Sequence, residues 1–248
     1  MARISLTPDP ETQPDELSDY IYARQTNRRP SDGRVPVSDQ QFAELTQSVQ
    51  ESDVQVIGIN DRAPMEPLLA IFDRAMTIEC ETRHLYEETR IWFRFNERER
   101  AEKRDALSMP AAGVVGRSLP LLEWYLGHGD PHRWHSKQSI NAFLKRFRKG
   151  LARAEGLLLL KTATNTQEDW IKAGRAYARA GLAAAKLGLQ MHPYSQVLQE
   201  YPEMSDLQRQ FNDLMGVAGE EKIQMAVRLG KGPTPYYTYR RNVESLVR

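Results

Sequence analysis

In the first third of the chain, residues that can cap a helix are followed by apolar residues at helical spacing. Asp15 can cap a short helix, and Ser38 can cap a second helix whose apolar stripe consists of Phe42, Leu45 and Val49. From Pro67 to about Arg104 neither glycine nor a further proline interrupts a series of recurring apolar residues. This stretch predicts one long helix or two stacked helices, with a solvated charged end at residues 96–104.

Three segments have the pattern of β-strands. Residues 53–60 carry apolar side chains on much of both faces, which predicts a strand in the centre of a sheet. The leucine run within residues 156–163 predicts a buried strand, and residues 223–230 predict another. Two further helices are predicted at residues 137–148, capped by Ser136, and at residues 205–215.

The helix that follows Thr166 is the clearest element of the chain. Thr166 and Asp169 have the spacing of a capping box, and Gly188 ends the helix roughly 20 residues later. Its inner surface is predicted to be a stripe of small residues, formed by Gly174, Ala178, Gly181 and Ala185. Such a stripe lets another backbone approach closely, although an ordinary buried core helix would have the same pattern.

Repeated glycine and proline interrupt residues 105–135. This composition predicts irregular structure around one short helix near residues 121–126. The chain, residues 1–248, is interpreted as a single domain with a lid or insertion around residues 96–135.

Composition and charge exclude several classes of protein. A chain of 248 residues, 40% of them hydrophobic, can bury a core without a disulfide or a metal. Cys80 is the only cysteine, and 34 basic residues against 33 acidic ones leave a net charge of +1, so neither an intramolecular disulfide nor a surface built for polyanions is expected. No apolar segment is long enough for a signal peptide or a membrane span. A cytoplasmic protein without membrane or nucleic-acid partners is therefore expected.

Arginine clusters lie near both ends of the chain. In an extended segment Arg24, Thr26 and Arg28 would project to the same side, because side chains repeat every two residues in that geometry. Two guanidinium groups and a hydroxyl form a suitable cradle for a terminal phosphate. Arg240 and Arg241 form the second cluster. The alternative is that these are ordinary surface arginines.

Several features follow one another along the chain. They are an Arg-x-Thr-x-Arg segment after a short helix, a long Gly/Ala-rich helix ending in Leu187-Gly188-Leu189, the turn Pro193-Tyr194-Ser195-Gln196, the strand Val227-Arg228-Leu229-Gly230 and the closing Arg240-Arg241. Their order resembles that of the nitroreductase family of FMN proteins. More narrowly, the chain resembles the divergent branch that contains the Acg-like proteins. The resemblance is strongest at residues 24–29 and 173–241.

The resemblance implies an α+β fold of three layers, with a central, mostly antiparallel sheet flanked by helices. It also implies a homodimer in which FMN lies at the subunit boundary. The positions that it assigns to the phosphate are Arg24, Thr26 and Arg28, together with Arg240 or Arg241. Pro193, Tyr194, Ser195 and Gln196 would form the turn beside the isoalloxazine ring, where backbone N–H groups approach N5.

The activity implied is that of an FMN-dependent oxidoreductase. NADH or NADPH would reduce the flavin, and a small acceptor such as a nitroaromatic or a quinone would then be reduced. No catalytic side chain is assigned, because the flavin supplies the reactivity. The turn lacks the family's usual glycine, Pro30-Ser31 replaces a common apolar position, and the lid is long. The alternative is a non-catalytic flavin-binding or flavin-storage protein.

Other sites have weaker support in the sequence. His128, His132 and His135 lie in a segment rich in glycine and proline, but their spacing is not that of a known metal site, so no metal is expected. In the basic run at residues 145–149, Phe147 is expected to pack inward rather than to contact nucleic acid. There is no P-loop and no complete G-x-G-x-x-G motif.

Overall fold

The computed structural model describes residues 7–49, 53–128 and 130–245, which form eight α-helices and six strands. The helices are α1 (Asp39–Ser48), α2 (Arg62–Glu81), α3 (Arg83–Ile91), α4 (Glu97–Lys103), α5 (Leu119–Gly127), α6 (Lys137–Ala152), α7 (Gln167–Lys186) and α8 (Ser205–Leu214). The strands are β1 (Gln55–Ile59), β2 (Phe93–Arg94), β3 (Leu107–Ser108), β4 (Gly156–Thr162), β5 (Gln190–Pro193) and β6 (Lys222–Gly230). Short 3₁₀ helices include Glu16–Tyr20, Pro131–Arg133 and Gln196–Leu198.

Four strands form the central sheet in the order β1-β4-β6-β5. Each neighbouring pair is antiparallel, whereas β2 and β3 form a separate parallel pair. The run of four leucines in β4 contributes apolar side chains to both faces of the sheet, because successive side chains of a strand point to opposite sides. Leu157 and Leu159 belong to one hydrophobic cluster, and Leu158 and Leu160 belong to the other.

Helices cover both faces of this sheet. The cluster around Leu158 and Leu160 includes residues of α1 and α7, and the cluster around Leu157 and Leu159 includes residues of α2, α6 and α8. The result is three layers, helices, sheet and helices. The predicted α+β fold with a mostly antiparallel central sheet is confirmed.

The predicted helix starts are confirmed by their hydrogen bonds. Asp15 accepts from the Leu17 amide, and Ser136 accepts from the Ser139 amide at the start of α6. Ser38 and Thr166 each form a complete capping box. These local signals are readable from the sequence because they depend on side chains only a few residues away.

The predicted strand at residues 53–60 exists as β1, but its central position in the sheet is wrong. Within the described residues β1 pairs only with β4 and forms an edge of the sheet. Its two apolar faces arise because helices cover both of them: Val56 packs on the cluster that contains α1, and Ile57 packs on the cluster that contains α2. Apolar residues on both faces of a strand therefore indicate that both faces are covered by helices. They do not require a neighbouring strand at each edge.

The stretch between Pro67 and Arg104 is not one or two uninterrupted helices. α2 begins at Arg62, before Pro67, and β2 separates α3 from α4. Asn96 ends the extended segment by capping α4, where its side chain accepts from the Glu99 amide. Most of α4 is solvated as predicted, but Arg100 is buried and pairs with Glu123 of α5 at 2.5 Å.

The small-residue stripe of α7 forms its inner surface only in part. Gly174 and Ala178 are exposed, whereas the buried residues of the helix are Ala173, Ala176, Ala180, Gly181, Ala183 and Ala184. Two neighbouring rows of small residues run along this helix, and the pattern does not distinguish which row faces the sheet. Gly188 follows the helix with a φ of +67°, as its predicted role at the helix end requires.

Candidate functional site

The segment that contains Arg24, Thr26 and Arg28 runs beside strand β5. Thr26 forms an isolated parallel bridge with Met191, and the Asn27 amide donates to the Met191 carbonyl at 3.0 Å. Extended backbone at this point is the geometry on which the predicted phosphate cradle depends.

Tyr177 of α7 connects the three predicted side chains. Burial raises the pKa of Tyr177, and the neighbouring Arg24, Arg28 and Thr26 oppose that rise. The two guanidinium groups and the Thr26 hydroxyl are therefore near the same phenol oxygen. Sequence reasoning noted Tyr177 only as a flanking aromatic residue of the helix, because its proximity to residue 26 is a tertiary contact.

Neither arginine has an acidic partner. Within the described part of the chain, no carboxylate oxygen lies within 4 Å of the Arg24 or Arg28 guanidinium groups, by the same limit that identifies the ion pairs of the other arginines. Arg28 makes one long hydrogen bond, 3.4 Å, to the Ala111 carbonyl, and burial lowers its pKa. Arg28 has lost water without gaining an anion, and together with the unpaired Arg24 it forms a receptive site for a phosphate or another anion.

Arg24 occupies the space above Gly181. A Cβ atom at position 181 would lie 3.2 Å from the Arg24 Cδ atom. Arg24, Tyr177 and Gly181 line a cavity of about 200 Å³, together with Met191 of β5. Gly181 thus supports the close approach that was predicted for the stripe, but the group that approaches is a side chain of the N-terminal segment.

A larger cavity of about 340 Å³ lies next to the same segment. Arg28 lines it, as do His192 and the predicted turn residues Pro193, Tyr194, Ser195 and Gln196. The Arg24–Arg28 segment therefore borders both cavities. Its predicted residues and the turn are neighbours in the fold although about 165 residues separate them in sequence.

The turn itself presents unpaired donors. Pro193 ends β5, and the Tyr194 amide donates to the Ala226 carbonyl at 2.8 Å. The next two amides, those of Ser195 and Gln196, have no hydrogen-bond acceptor among the described residues, and both residues line the larger cavity. Two free N–H groups at a cavity wall suit an electronegative atom of a ligand.

Arg228 of β6 is a site residue that sequence reasoning did not identify. It is only 3% exposed, and its Nη2 atom donates to the carbonyl oxygens of Asn27 and Arg29. Its Nη1 atom and the Tyr194 hydroxyl are buried without a hydrogen-bond partner in the described structure. A lone arginine in an otherwise apolar strand pattern was the available signal, since a buried charge needs specific partners.

His192 adjoins this cluster. Its ring lies 4.9 Å from the Tyr194 ring, and its buried Nδ1 atom has no partner among the described residues. Burial holds the pKa of His192 well below its usual value, and the charges of Arg228 and Arg28 add to this effect. The imidazole is therefore neutral near pH 7 and offers the cavity wall a polar but uncharged group.

Arg240 and Arg241 are not brought to the Arg24–Arg28 segment within this chain. Arg240 donates to Thr238 and to the Tyr239 carbonyl, and Arg241 pairs with Asp105 at 3.3 Å. Their segment begins near the site, where the Asn27 side chain donates to the Pro233 carbonyl at 2.7 Å, but it then continues to α4. The two predicted arginine clusters therefore contact different parts of the fold.

The three histidines of the irregular segment have separate partners. His132 contacts Arg83, His128 contacts the Trp124 carbonyl, and His135 contacts the Cys80 carbonyl. The described residues contain no group of three or more acidic, His or Cys side chains placed to hold a metal. Phe147 is buried against Tyr194, which agrees with its predicted inward packing.

Comparisons of the whole chain identify the fold. No family model and no curated protein matches the sequence. A point mutant of the FMN- and NADPH-dependent nitroreductase NfnB, derived from Sphigopyxis sp. strain HMH, has a TM-score of 0.55 and 13% identity, with 94% of this chain and 98% of that chain covered. A nitroreductase-like family protein from Bacillus cereus has a TM-score of 0.50 and 11% identity, with 96% and 97% covered.

A putative NADH dehydrogenase/NAD(P)H nitroreductase from Bacteroides thetaiotaomicron is equally similar, with a TM-score of 0.50, 10% identity and coverage of 95% of this chain and 98% of that chain. At such low identities the likeness establishes the fold. The chain has the nitroreductase-like fold, and the resemblance inferred from its sequence is confirmed at that level. Among the described residues, no helix combines the length and apolar character needed to cross a membrane.

Proposed function

We propose that the protein binds FMN along the Arg24–Arg28 segment and acts as an NAD(P)H-dependent oxidoreductase on a small acceptor such as a nitroaromatic or a quinone. The observation that carries the proposal is the pair of arginines without acidic partners on an extended segment that borders two cavities. The nitroreductase-like fold supports it, because the similar NfnB structure is that of an FMN-dependent enzyme.

The residues present fit the cofactor chemically. Arg24, Thr26 and Arg28 offer cationic and hydroxyl donors to a phosphate. The free amides of Ser195 and Gln196 offer neutral donors to a ring nitrogen or oxygen, and the unpaired Nδ1 atom of His192 is a further polar group on the wall of the same cavity. Arg240 and Arg241, which the family resemblance also assigns to the phosphate, would have to leave their present contacts to reach it.

FMN, when bound, would supply the hydride-transfer chemistry. The chain's own residues would hold the phosphate through Arg24 and Arg28 and orient the ring through the amides of the turn. The positive charge of Arg28 and Arg228 beside those amides would favour a cofactor that gains negative charge on reduction. The neutral His192 adds no opposing charge, and aromatic side chains of the larger cavity would limit the access of water.

The first test is the visible absorption spectrum of the purified protein, with FMN identified after heat release. The double variant Arg24→Ala/Arg28→Ala should lose two charge-assisted contacts, together about 3 kcal/mol or on the order of a hundredfold in the Kd for FMN. Arg29→Ala is the matched control, because Arg29 belongs to the same segment but donates to the Thr234 carbonyl. A colourless protein that takes up no added FMN would refute the proposal.

A second measurement separates the two functional alternatives. Reduction of the bound flavin by NADH or NADPH, followed by turnover of an acceptor well above the rate of free FMN, is expected of an oxidoreductase. Bound flavin that neither nicotinamide reduces would favour a flavin-binding or flavin-storage protein. The turn without glycine, the Pro30-Ser31 pair and the long lid are the features that motivate this alternative.

We also propose a homodimer and a single domain in which residues 96–135 act as a lid. The exposed row of Gly174 and Ala178, next to the exposed Trp170 and Ile171, gives α7 a surface suited to close packing by a partner. Light scattering at micromolar concentration tests the dimer, and a monomer would count against it. Assignment to the Acg-like branch stays a prediction, as does the cytoplasmic location, which the lone Cys80 supports.

A further inference from the structure

Helix α6 presents one face to the larger cavity. Phe143, Arg146, Phe147 and Gly150 all line it, and their spacing places them on adjacent turns of the helix. Three of these residues are apolar. Arg146 therefore contributes a charge to a wall that is otherwise suited to an apolar ligand.

Arg146 has no electrostatic partner in the described structure. No hydrogen bond or ion pair to its guanidinium is present, although the neighbouring Arg148 pairs with Asp73 at 2.8 Å on the outer side of the same helix. Burial lowers the pKa of Arg146, and no nearby carboxylate offsets that effect. A half-buried arginine that lines a cavity without a counter-ion is suited to bind an anionic group of a ligand.

The remaining walls are strongly aromatic. Tyr86, Phe93, Trp134, Phe143 and Phe147 all line the cavity. Tyr86 stacks on Trp134 with 5.3 Å between the ring centroids, and the Trp134 indole N–H donates to the Tyr86 carbonyl at 3.0 Å. These contacts fix the orientation of the rings. A set of fixed rings favours a flat ligand, because stacking and edge contacts need little adjustment of either partner.

Glu79 of α2 is the acidic residue that lines the same cavity. It forms no ion pair with Arg146, and burial raises its pKa. The other charged or titratable side chains of the cavity wall are Arg28, Tyr86, His192 and Tyr194. Arg28 is assigned to the phosphate cradle, so Arg146 is the remaining cation available to a second ligand.

We propose that the larger cavity selects planar aromatic acceptors that carry a carboxylate, and that Arg146 is the residue that determines this specificity. The inference rests on the proposed function, because it assigns the FMN site to the Arg24–Arg28 segment and the turn, and the acceptor to the wall formed by α6. It narrows the acceptor from nitroaromatics and quinones in general to aromatic acids.

The test compares the binding of two nitroaromatic probes of similar shape that differ in charge, 4-nitrobenzoate and its uncharged methyl ester. Calorimetry with the FMN-loaded protein measures their binding without requiring turnover. The acid should bind more tightly than the ester by about tenfold or more. Arg146→Met should abolish this preference by weakening only the acid, Arg146→Lys should restore part of it, and the control Arg148→Met should keep it.

Equal binding of acid and ester to the unaltered protein would overturn the proposal, as would an Arg146→Met variant that retains the preference. The flavin absorbance of each sample separates this failure from that of the proposed function. Protein that holds FMN but does not distinguish the probes contradicts only the specificity. Protein that binds no FMN contradicts the function on which the specificity rests. If Arg146→Met does not fold, the comparison of the two probes on the unaltered protein still tests whether the cavity prefers the acid.

Discussion

Arg228 donates a hydrogen bond of 2.6 Å from its Nη2 atom to the carbonyl oxygen of Arg29. The same atom also donates to the Asn27 carbonyl at 3.2 Å. A buried guanidinium on the central strand β6 thus holds the backbone that follows the phosphate cradle. The position of the Arg24–Arg28 segment depends on this contact as much as on its bridge to Met191 of β5.

Replacing Arg228 with methionine should therefore affect both stability and cofactor binding. Two buried carbonyl oxygens would lose their donor, and we expect the free energy of unfolding to fall by about 2–4 kcal/mol. The Kd for FMN should rise on the order of tenfold or more, because the segment would no longer be fixed. Denaturant unfolding and titration with FMN measure the two effects.

Arg179→Met is the matched control for that variant. Arg179 of α7 also donates to a backbone carbonyl, that of Ser48 at 2.6 Å, and it pairs with Asp15 at 2.5 Å, but it lines neither of the two cavities beside the Arg24–Arg28 segment. This variant should lose stability while keeping the affinity for FMN. A loss of affinity in both variants would mean that the effect of Arg228→Met is general destabilisation.

The features of the fold that were predicted correctly from the sequence are those that depend on residues close together in the chain. The capping boxes at Ser38 and Thr166, the leucine strand β4 and the end of α7 at Gly188 all follow from residues within one or two turns. The phosphate cradle proposed for Arg24, Thr26 and Arg28 assumed an extended segment, and the bridge of Thr26 to β5 agrees with that assumption.

What the sequence did not predict depends on contacts between distant segments. The roles of Arg228 and Tyr177 arise only when β6 and α7 meet the N-terminal segment. The edge position of β1 follows from strand order, which two apolar faces cannot specify. The exposed position of Gly174 and Ala178 follows from which of two rows of small residues packs on the sheet. In each of these cases the local sequence pattern allows two or more arrangements equally, and only contacts between distant segments select one of them.

Gly150 of α6 should not tolerate a side chain. A Cβ atom there would lie 2.7 Å from Arg228 Nη1 and 3.3 Å from the Tyr194 hydroxyl, so Gly150→Ala must displace one of two buried groups. We expect a loss of about 1–3 kcal/mol in the free energy of unfolding. Gly174→Ala, in the exposed part of α7, meets no atom within 4 Å and should instead gain up to about 1 kcal/mol. Equal shifts in Tm for the two variants would contradict this explanation.

A substitution at Gly181 should weaken cofactor binding without a comparable change in stability. Gly181→Leu would fill the smaller cavity and push aside Arg24, whose Cδ atom lies 3.2 Å from the position of a Cβ atom. The Kd for FMN should rise by about tenfold or more, since one charge-assisted contact is lost. Stability should change little, because the cavity accepts the new side chain. An unchanged Kd in Gly181→Leu would argue against a role for Arg24.

The neutral His192 gives stability a defined dependence on pH. Its pKa is well below 6.5 in the folded protein, because of burial and the adjacent Arg228 and Arg28, and is about 6.5 in the unfolded chain. Below pH 6.5 the unfolded chain therefore binds a proton that the folded protein does not. The unfolded state gains from this proton, so the free energy of unfolding falls as the pH is lowered and levels off above about pH 7.5.

His192→Gln should remove this contribution. Between pH 7 and pH 5 we expect the unaltered protein to lose about 2 kcal/mol more than the variant, since the maximum slope for one proton is about 1.4 kcal/mol per pH unit. Chemical denaturation at a series of pH values measures the difference, and other titrating groups cancel in the subtraction. His84→Gln, which removes an exposed histidine, serves as the control. Parallel curves for the unaltered protein and His192→Gln would mean that the folded protein binds a proton at His192 as readily as the unfolded chain does, which would contradict a lowered pKa for this buried imidazole.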